Sequence, residues 1–311
     1  MLSKENHRIG DSWYYVEDNR VHVFFLNCPY NVEPHTAWNI DHAVSSDLVH
    51  WTHLGTILEN GAYDEWDHNL ATGSVLKVGS SFWLAYTGRW NGPGTSVGLA
   101  VSDDLYNWRK IEENPITQID ERFYEKVGSG RRGISHWRDP FLFEEEGNIY
   151  HYVCASRNDG PKNRRGTLGL ARCIEPTKWE VLPPPIIEPM IEELECPQVR
   201  QIDGRYYLIF SSHPDFFPVS SEFDREKLRQ STYSMVAESV FGPFCFLRTE
   251  PILPAAWPVQ PYAGQIVQWR GKNYLLGTDW FTKEHDFIPD PIPIRATETG
   301  LVAEELHPCH L

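Results

Sequence analysis

The chain alternates short apolar and aromatic runs with polar turns, and five stretches repeat this pattern. Each stretch has a small or polar start, an apolar run, a turn containing Gly, Asn or Asp, and an aromatic run. Two β-rich runs joined by such a turn predict a β-hairpin. The five copies are GDSWYYVEDNRVHVFFL from Gly10, ATGSVLKVGSSFWLAYTG from Ala71, RDPFLFEEEGNIYHYVCAS from Arg138, ECPQVRQIDGRYYLIFSS from Glu195 and AGQIVQWRGKNYLLGTDWF from Ala263.

A second pattern follows the hairpins and predicts a third strand, a tight turn and a fourth strand. Its copies are HAVSSDLVHWTHL from His42, LAVSDDLYNWRKI from Leu99, LARCIEPTKWEVL from Leu170 and MVAESVFGPFCFL from Met235. The aromatic residue after each turn is expected to pack between neighbouring units, and these residues are Trp51, Trp108, Trp179 and Phe244. Four strands in each of five units of about 60 residues indicate an all-β fold, a five-bladed β-propeller of four-stranded antiparallel blades. We expect it to form one domain over residues 1–311.

Charge and composition exclude several classes of function. The formal net charge is -15, and no run rich in Lys or Arg suggests a nucleic-acid partner. The first residues lack the apolar core of a signal peptide, and no apolar run is long enough to span a membrane. The six cysteines show no paired CxxC spacing, so a disulfide framework and a zinc site are not expected. We therefore expect a cytoplasmic protein without a metal or cofactor.

Three of the five innermost strands are predicted to begin with an acid, namely Asp11, Asp139 and Glu195. In a propeller these strands line the central channel, so their first residues face one pocket. Three carboxyl groups in one pocket repel each other and push their pKa values apart. Glycoside hydrolysis needs this separation, because one carboxyl must stay protonated while another stays ionised.

Each acid also has a structural explanation. Asp11 follows Gly10 and could simply open a strand. Asp139 could form an ordinary ion pair with Arg138 beside Pro140. Glu195 lies in the run Glu192–Glu195, and acidic runs usually mark a solvated face.

Two short motifs resemble those of the β-fructosidases of glycoside hydrolase family 32 and their five-bladed relatives. Arg138-Asp139-Pro140 is similar to the Arg-Asp-Pro motif of that family, and Glu195-Cys196 to its Glu-Cys motif. The segment from His42 to Trp51 and the Thr72-Gly73-Ser74 element are also similar. The usual Asn-Asp-Pro-Asn-Gly motif is absent, and Gly10-Asp11-Ser12 takes its place. The C-terminal β-sandwich of the family is also missing, which suggests a divergent branch with a propeller only.

The resemblance implies a retaining glycosidase that acts on a terminal β-fructofuranoside of the sucrose or fructo-oligosaccharide type. Asp11 would be the nucleophile and Glu195 the general acid/base, while Asp139, held by Arg138, would stabilise the positive charge of the transition state. Arg138, Thr72 and Ser74 are further candidates for substrate binding.

Aromatic and imidazole side chains near the strand starts are candidates for the wall of the sugar site. Trp38 and Trp66 lie in polar segments beside His42 and His68, where an exposed ring would serve as a sugar platform. Trp90, Trp137 and Trp280 are weaker candidates that could equally pack between blades. His42 itself is included among the substrate-binding candidates.

Two other functions remain open. The chain could be an inverting arabinofuranosidase or xylosidase of family 43 type, with Asp11 as the base. It could also be a sugar-binding propeller without catalysis. In all three cases the expected partner is a small carbohydrate, and the sequence does not specify an oligomeric state.

Overall fold

Five sheets account for the strands of the protein in a computed structural model, which describes residues 1–33, 37–90, 94–126, 136–188, 190–279 and 286–304. The first two blades consist of β1 (His7–Glu17), β2 (Arg20–Pro29), β3 (Asn39–Ser45) and β4 (Thr52–Leu58), then β5 (Asn69–Val78), β6 (Ser81–Arg89), β7 (Thr95–Ser102) and β8 (Arg109–Lys110). The third consists of β9 (Trp137–Glu145), β10 (Asn148–Ser156), β11 (Gly166–Glu175) and β12 (Lys178–Leu182).

The fourth blade consists of β13 (Ile187–Glu188), β14 (Glu195–Ile202), β15 (Arg205–Ser212), β16 (Ser231–Ala237) and β17 (Phe244–Cys245). The fifth consists of β18 (Tyr262–Trp269), β19 (Lys272–Thr278), β20 (Ile292–Thr297) and β21 (Gly300–Ala303). Two short 3₁₀ helices, Lys162–Arg164 and Pro214–Phe216, complete the described structure. Neither helix has the length and apolar character needed to cross a membrane.

The predicted hairpins and the all-β propeller are confirmed. Each of the five repeats forms an antiparallel pair of the first two strands of its blade. The fourth blade differs from the expected four antiparallel strands, because its sheet contains β13 as a fifth strand parallel to β17. There Ile187 pairs with Phe244, so the chain covers the outer edge of the blade on its way to β14.

The two closest copies of the second pattern fold alike. In the first blade the side chain of Asp47 accepts hydrogen bonds from the backbone N–H groups of Val49 and His50. In the second blade Asp104 accepts the equivalent pair from Tyr106 and Asn107. An aspartate that caps its own turn in this way is a local signal, which explains why both turns could be read from the sequence.

Apolar side chains fill the spaces between blades. The second strands are almost entirely buried, whereas the outer strand β4 is mostly exposed. Trp108 of the second blade meets Phe24 of the first edge-on, with 5.8 Å between ring centroids. Its position confirms the predicted packing role of the aromatic residue after the turn.

Every innermost strand carries a β-bulge at the same level. Two residues lie opposite one in four blades, at 10–11, 139–140, 196–197 and 263–264, and one extra residue, Thr72, interrupts the register in the second blade. Three bulge residues that are not glycine, Asp139, Cys196 and Ala263, have positive φ angles of 61°, 51° and 51°. A bulge redirects side chains out of the strict alternation of a strand, so the five bulges form a ring of redirected groups.

The bulges refine the expected position of the acids. Glu195 is the first residue of β14, as predicted, but Asp139 is the third residue of β9 and Asp11 the fifth of β1. The acids share the level of the bulges rather than the first position of a strand. Short strand extensions before the bulge account for the difference.

Candidate active site

Asp11 lies in the bulge of the first blade and remains partly exposed. Its Oδ2 accepts hydrogen bonds from the hydroxyl group of Thr72 and from the thiol of Cys196, the latter at 3.6 Å. Burial and the charge of Asp139, together with that of Glu195, raise the pKa of Asp11 to about 7, although both hydrogen bonds act to lower it. Asp11 can therefore exchange a proton near neutral pH.

Asp139 is buried at the bulge of the third blade and joins three blades together. Its backbone N–H donates to Oγ1 of Thr87 at 2.7 Å, and its Oδ2 accepts from the backbone N–H of Cys196 at 3.1 Å. Burial raises the pKa of Asp139, an effect that the charge of Arg138 opposes. The left-handed backbone at Asp139 costs free energy, and strain of this kind is concentrated at functional sites.

Glu195 is buried and receives donors from two sides. Nη2 of Arg138 donates to its Oε1 at 2.8 Å, and the hydroxyl group of Tyr262 donates to its Oε2. The same Nη2 also donates to Oε1 of Glu193, while Nε of Arg138 lies 3.5 Å from Oδ2 of Asp139. One guanidinium group is thus shared by three carboxyl groups.

The structure brings the three predicted acids together. One carboxylate oxygen of Asp11, one of Asp139 and Sγ of Cys196 lie within 4.8 Å of one another. Glu195 is close enough for its charge to affect both aspartates. Buried carboxyl groups this close disfavour one another's ionised forms, which contributes to the raised pKa values of Asp11 and Asp139.

The structure also decides between the alternative explanations for Arg138 and Glu195. Glu192, Glu193 and Glu195 are all buried, so the acidic run is not a solvated face. Arg138 is more than the ion-pair partner of Asp139, because its hydrogen bonds go to the two glutamates. In the structure Arg138 holds the acids, and its predicted contact with substrate stays a prediction.

Two predicted substrate-binding residues, His42 and Ser74, lie buried in the packing of the blades. His42 is 0% exposed and stacks on Phe24 with ring centroids 4.6 Å apart, and its Nε2 lies 3.0 Å from Nδ1 of His22. Burial lowers the pKa of His42 to about 3. Ser74 is also buried, and its Oγ accepts the backbone N–H of Leu142 in the next blade.

The tryptophan platforms are not the exposed rings that were predicted. Trp38 is 5% exposed and belongs to the apolar core between the first two blades. Trp66 is partly buried over Gly88 and Gly98, where a Cβ atom would lie 2.1 Å and 2.4 Å from its ring.

The weaker aromatic candidates divide in the same way. Trp137 is fully buried, Trp90 is 43% exposed, and Trp280 lies outside the described residues. Thr72, in contrast, belongs to the site, because its hydroxyl group binds Asp11.

Three residues of the site were not predicted: Glu193, Tyr262 and Thr87. Their positions in the sequence could have indicated Glu193 and Tyr262. Glu193 precedes Glu195 by two residues, the spacing that places side chains on one face of a strand. Tyr262 occupies the position before the bulge that Glu195 has in the fourth blade. Thr87 gives no signal, since its partner Asp139 is 52 residues away.

Two groups of described side chains have the donor types of a metal site. Asp11, Asp139 and Cys196 form one, and His136, Cys154 and Glu193 form the other. In the first group, hydrogen bonds already engage Oδ2 of Asp11 and Oδ2 of Asp139. In the second, Arg138 places its positive charge on Glu193, which disfavours a further cation.

The chain is similar to known proteins. The sucrose-6-phosphate hydrolase of Streptococcus mutans serotype c is 24% identical to this chain over 252 residues. The aligned region covers 74% of this chain and 49% of the hydrolase. An extracellular endo-α-(1→5)-L-arabinanase of Thermotoga petrophila is 26% identical over 202 residues, 62% of this chain and 39% of its own length. The chain thus spans half or less of these curated relatives.

The fold is also found among solved structures. A mutant of the Bombyx mori GH32 β-fructofuranosidase BmSUC1, in complex with sucrose, superposes with a TM-score of 0.68 at 20% identity. The superposition covers 96% of this chain and 63% of that one.

The sequence profile described as "Glycosyl hydrolases family 32 N-terminal domain" matches residues 12–242. Asp139 and Glu195 lie inside the matched region, and Asp11 lies one residue before it. Since the match covers well over half of the sequence, the chain belongs to glycosyl hydrolase family 32.

Proposed function

We propose that the chain is a retaining glycoside hydrolase that cleaves terminal β-fructofuranosides of the sucrose or fructo-oligosaccharide type. The observation that carries the proposal is the convergence of Asp11, Asp139 and Glu195 from three blades, with Arg138 on Glu195. Family membership and the S. mutans relative, a sucrose-6-phosphate hydrolase by name, support the same substrate class.

The acids divide the reaction between them. Asp11, the most exposed of the three, attacks the anomeric carbon as a carboxylate, while Glu195 gives its proton to the leaving oxygen. Glu195 then takes a proton from water, the resulting hydroxide attacks the same carbon, and Asp11 is released. Asp139 is fixed by Thr87 and Cys196 and stabilises the positive charge that develops on the sugar ring.

A second candidate is an inverting hydrolase of arabinofuranosides, in which Asp11 activates water directly. The similarity to the Thermotoga arabinanase favours it. The Arg138-Asp139-Pro140 and Glu195-Cys196 motifs favour the fructosidase.

Turnover of sucrose, fructo-oligosaccharides and aryl β-fructofuranosides, with aryl α-arabinofuranosides for comparison, tests the proposal. We expect fructose release, and NMR of the first product should show the anomer of the substrate. Asp64→Asn, at an exposed position, is the matched control and should keep full activity. Turnover of arabinofuranosides alone, with an inverted product, supports the second candidate. Sugar binding without any turnover rejects both.

A further inference from the structure

Glu193 and Glu195 compete for one donor nitrogen. Nη2 of Arg138 donates to Oε1 of both glutamates, and both side chains are buried. Two carboxylates that share a site disfavour each other's ionised form, which favours a proton on one of them. The identity of the protonated glutamate decides whether the pocket contains a general acid.

The position of Glu193 is held from both sides. The hydroxyl group of Ser212 donates to the carbonyl oxygen of Glu193 at 3.0 Å. On the other side, Gly166 approaches so closely that a Cβ atom there would lie 2.7 Å from the backbone nitrogen of Glu193. The backbone N–H of Gly166 also donates to the carbonyl oxygen of Ile191 at 2.9 Å. Glu193 therefore cannot easily withdraw from Arg138.

The surroundings of the two glutamates differ. The groups that face Glu193 are Arg138, His136 and Cys154, and those that face Glu195 are Arg138, Tyr262, Asp11, Asp139 and Cys196. Both glutamates share the cation Arg138. Only Glu195 also faces two aspartates, Asp11 and Asp139. Negative neighbours disfavour the ionised form, which favours the proton on Glu195, and the hydroxyl group of Tyr262 acts in the opposite direction.

Building on the proposed function, we infer that Glu193 is a positioning residue that neutralises Arg138 and so lets Glu195 keep the proton of a general acid. Without Glu193 the full charge of Arg138 would act on Glu195 and favour its carboxylate. The general acid would then lose its proton at a lower pH. A residue with only a packing role would not have this effect.

The test compares Glu193→Gln, which removes the charge but keeps the shape, with the wild type. In kcat/KM for sucrose between about pH 4 and pH 9, the basic limb should move to lower pH by about one unit. Glu193→Asp keeps the charge and should restore most of the wild-type profile. Glu188→Gln, at an exposed position in β13, is the matched control and should not move the limb. An unmoved or raised basic limb in a folded Glu193→Gln variant overturns the inference.

A second measurement needs neither turnover nor a folded variant at position 193. The carboxyl carbons of 13C-labelled glutamates can be titrated by NMR in the wild type, with Glu195→Gln used to assign the Glu195 signal. We expect Glu195 to titrate at higher pH than Glu193, and the reverse order overturns the inference. If the wild type cleaves no furanoside while this order holds, the proposed function fails and the role of Glu193 stands.

Discussion

The hydroxyl group of Thr72 donates a hydrogen bond to Oδ2 of Asp11 across the interface between the first and second blades. This bond opposes the burial that raises the pKa of Asp11 to about 7. The second blade contributes no acid to the cluster, yet it helps to set the pH at which the nucleophile becomes ionised. Oγ1 of Thr87 extends the link, since it donates to the carbonyl oxygen of Thr72 and accepts from the backbone N–H of Asp139.

Thr72→Val should therefore raise the pKa of Asp11 further. Because the ionised carboxylate is the nucleophile, the acid limb of kcat/KM should move to higher pH by about one unit. Thr72→Ser retains the hydroxyl group and should keep the wild-type profile. The pH dependence of initial rates measures the shift, and identical profiles for Thr72→Val and wild type would contradict it.

Asp11→Asn should abolish turnover and stabilise the fold. No covalent intermediate can form without the carboxylate.

The pKa of Asp11 is about 7 in the folded state and 3.8 as its ordinary value, so the folded state binds more protons between these values. Wild-type stability consequently falls as pH rises through this window. At pH 8 the variant should gain up to about 4 kcal/mol in free energy of unfolding, measured with urea, and it should gain little near pH 3. Equal gains at both pH values would refute the linkage.

Glu195→Gln should discriminate between leaving groups. An activated aryl leaving group needs little protonation, so formation of the glycosyl-enzyme should survive better than with sucrose, where we expect a loss of about 10²–10⁴-fold. The second step lacks its base, so the intermediate should accumulate and azide should restore turnover. Pre-steady-state bursts detect the intermediate. Full activity on both substrates would show that the proton comes from another residue.

Asp139→Asn should lower kcat/KM by a similar factor on sucrose and on aryl fructosides, by about a hundredfold or more. In the proposed mechanism Asp139 stabilises the charge on the sugar ring, which both substrates share. Asp104→Asn, which alters a turn capped by aspartate on the surface of the second blade, controls for general effects. A loss confined to one substrate would assign Asp139 to the leaving group instead.

The fold was predictable because its signals are local. Alternating apolar residues and the Asp47 and Asp104 turns specify strands and hairpins within a few residues. The differences between the predictions and the structure concern the directions in which side chains point. His42 follows Asp41 in a buried strand, and nothing in the adjacent sequence shows that its ring stacks inside the first blade. The place of Glu193 in the site was not predictable for a similar reason, because it depends on a contact with Arg138, 55 residues away in the chain.

The junction of the first and fifth blades closes the ring beside Asp11. Thr278 donates to the carbonyl oxygen of Gly10 at 2.6 Å, Leu2 pairs with Ile288, and an apolar cluster packs across the junction. Opening of this junction would release the hydrogen bond that holds Gly10, the residue before Asp11. Local opening of this kind needs less free energy than global unfolding. On heating, activity should therefore be lost at a lower temperature than the one at which the blades unfold. A bound sugar that contacts the acids of different blades should stabilise the junction and reduce this difference.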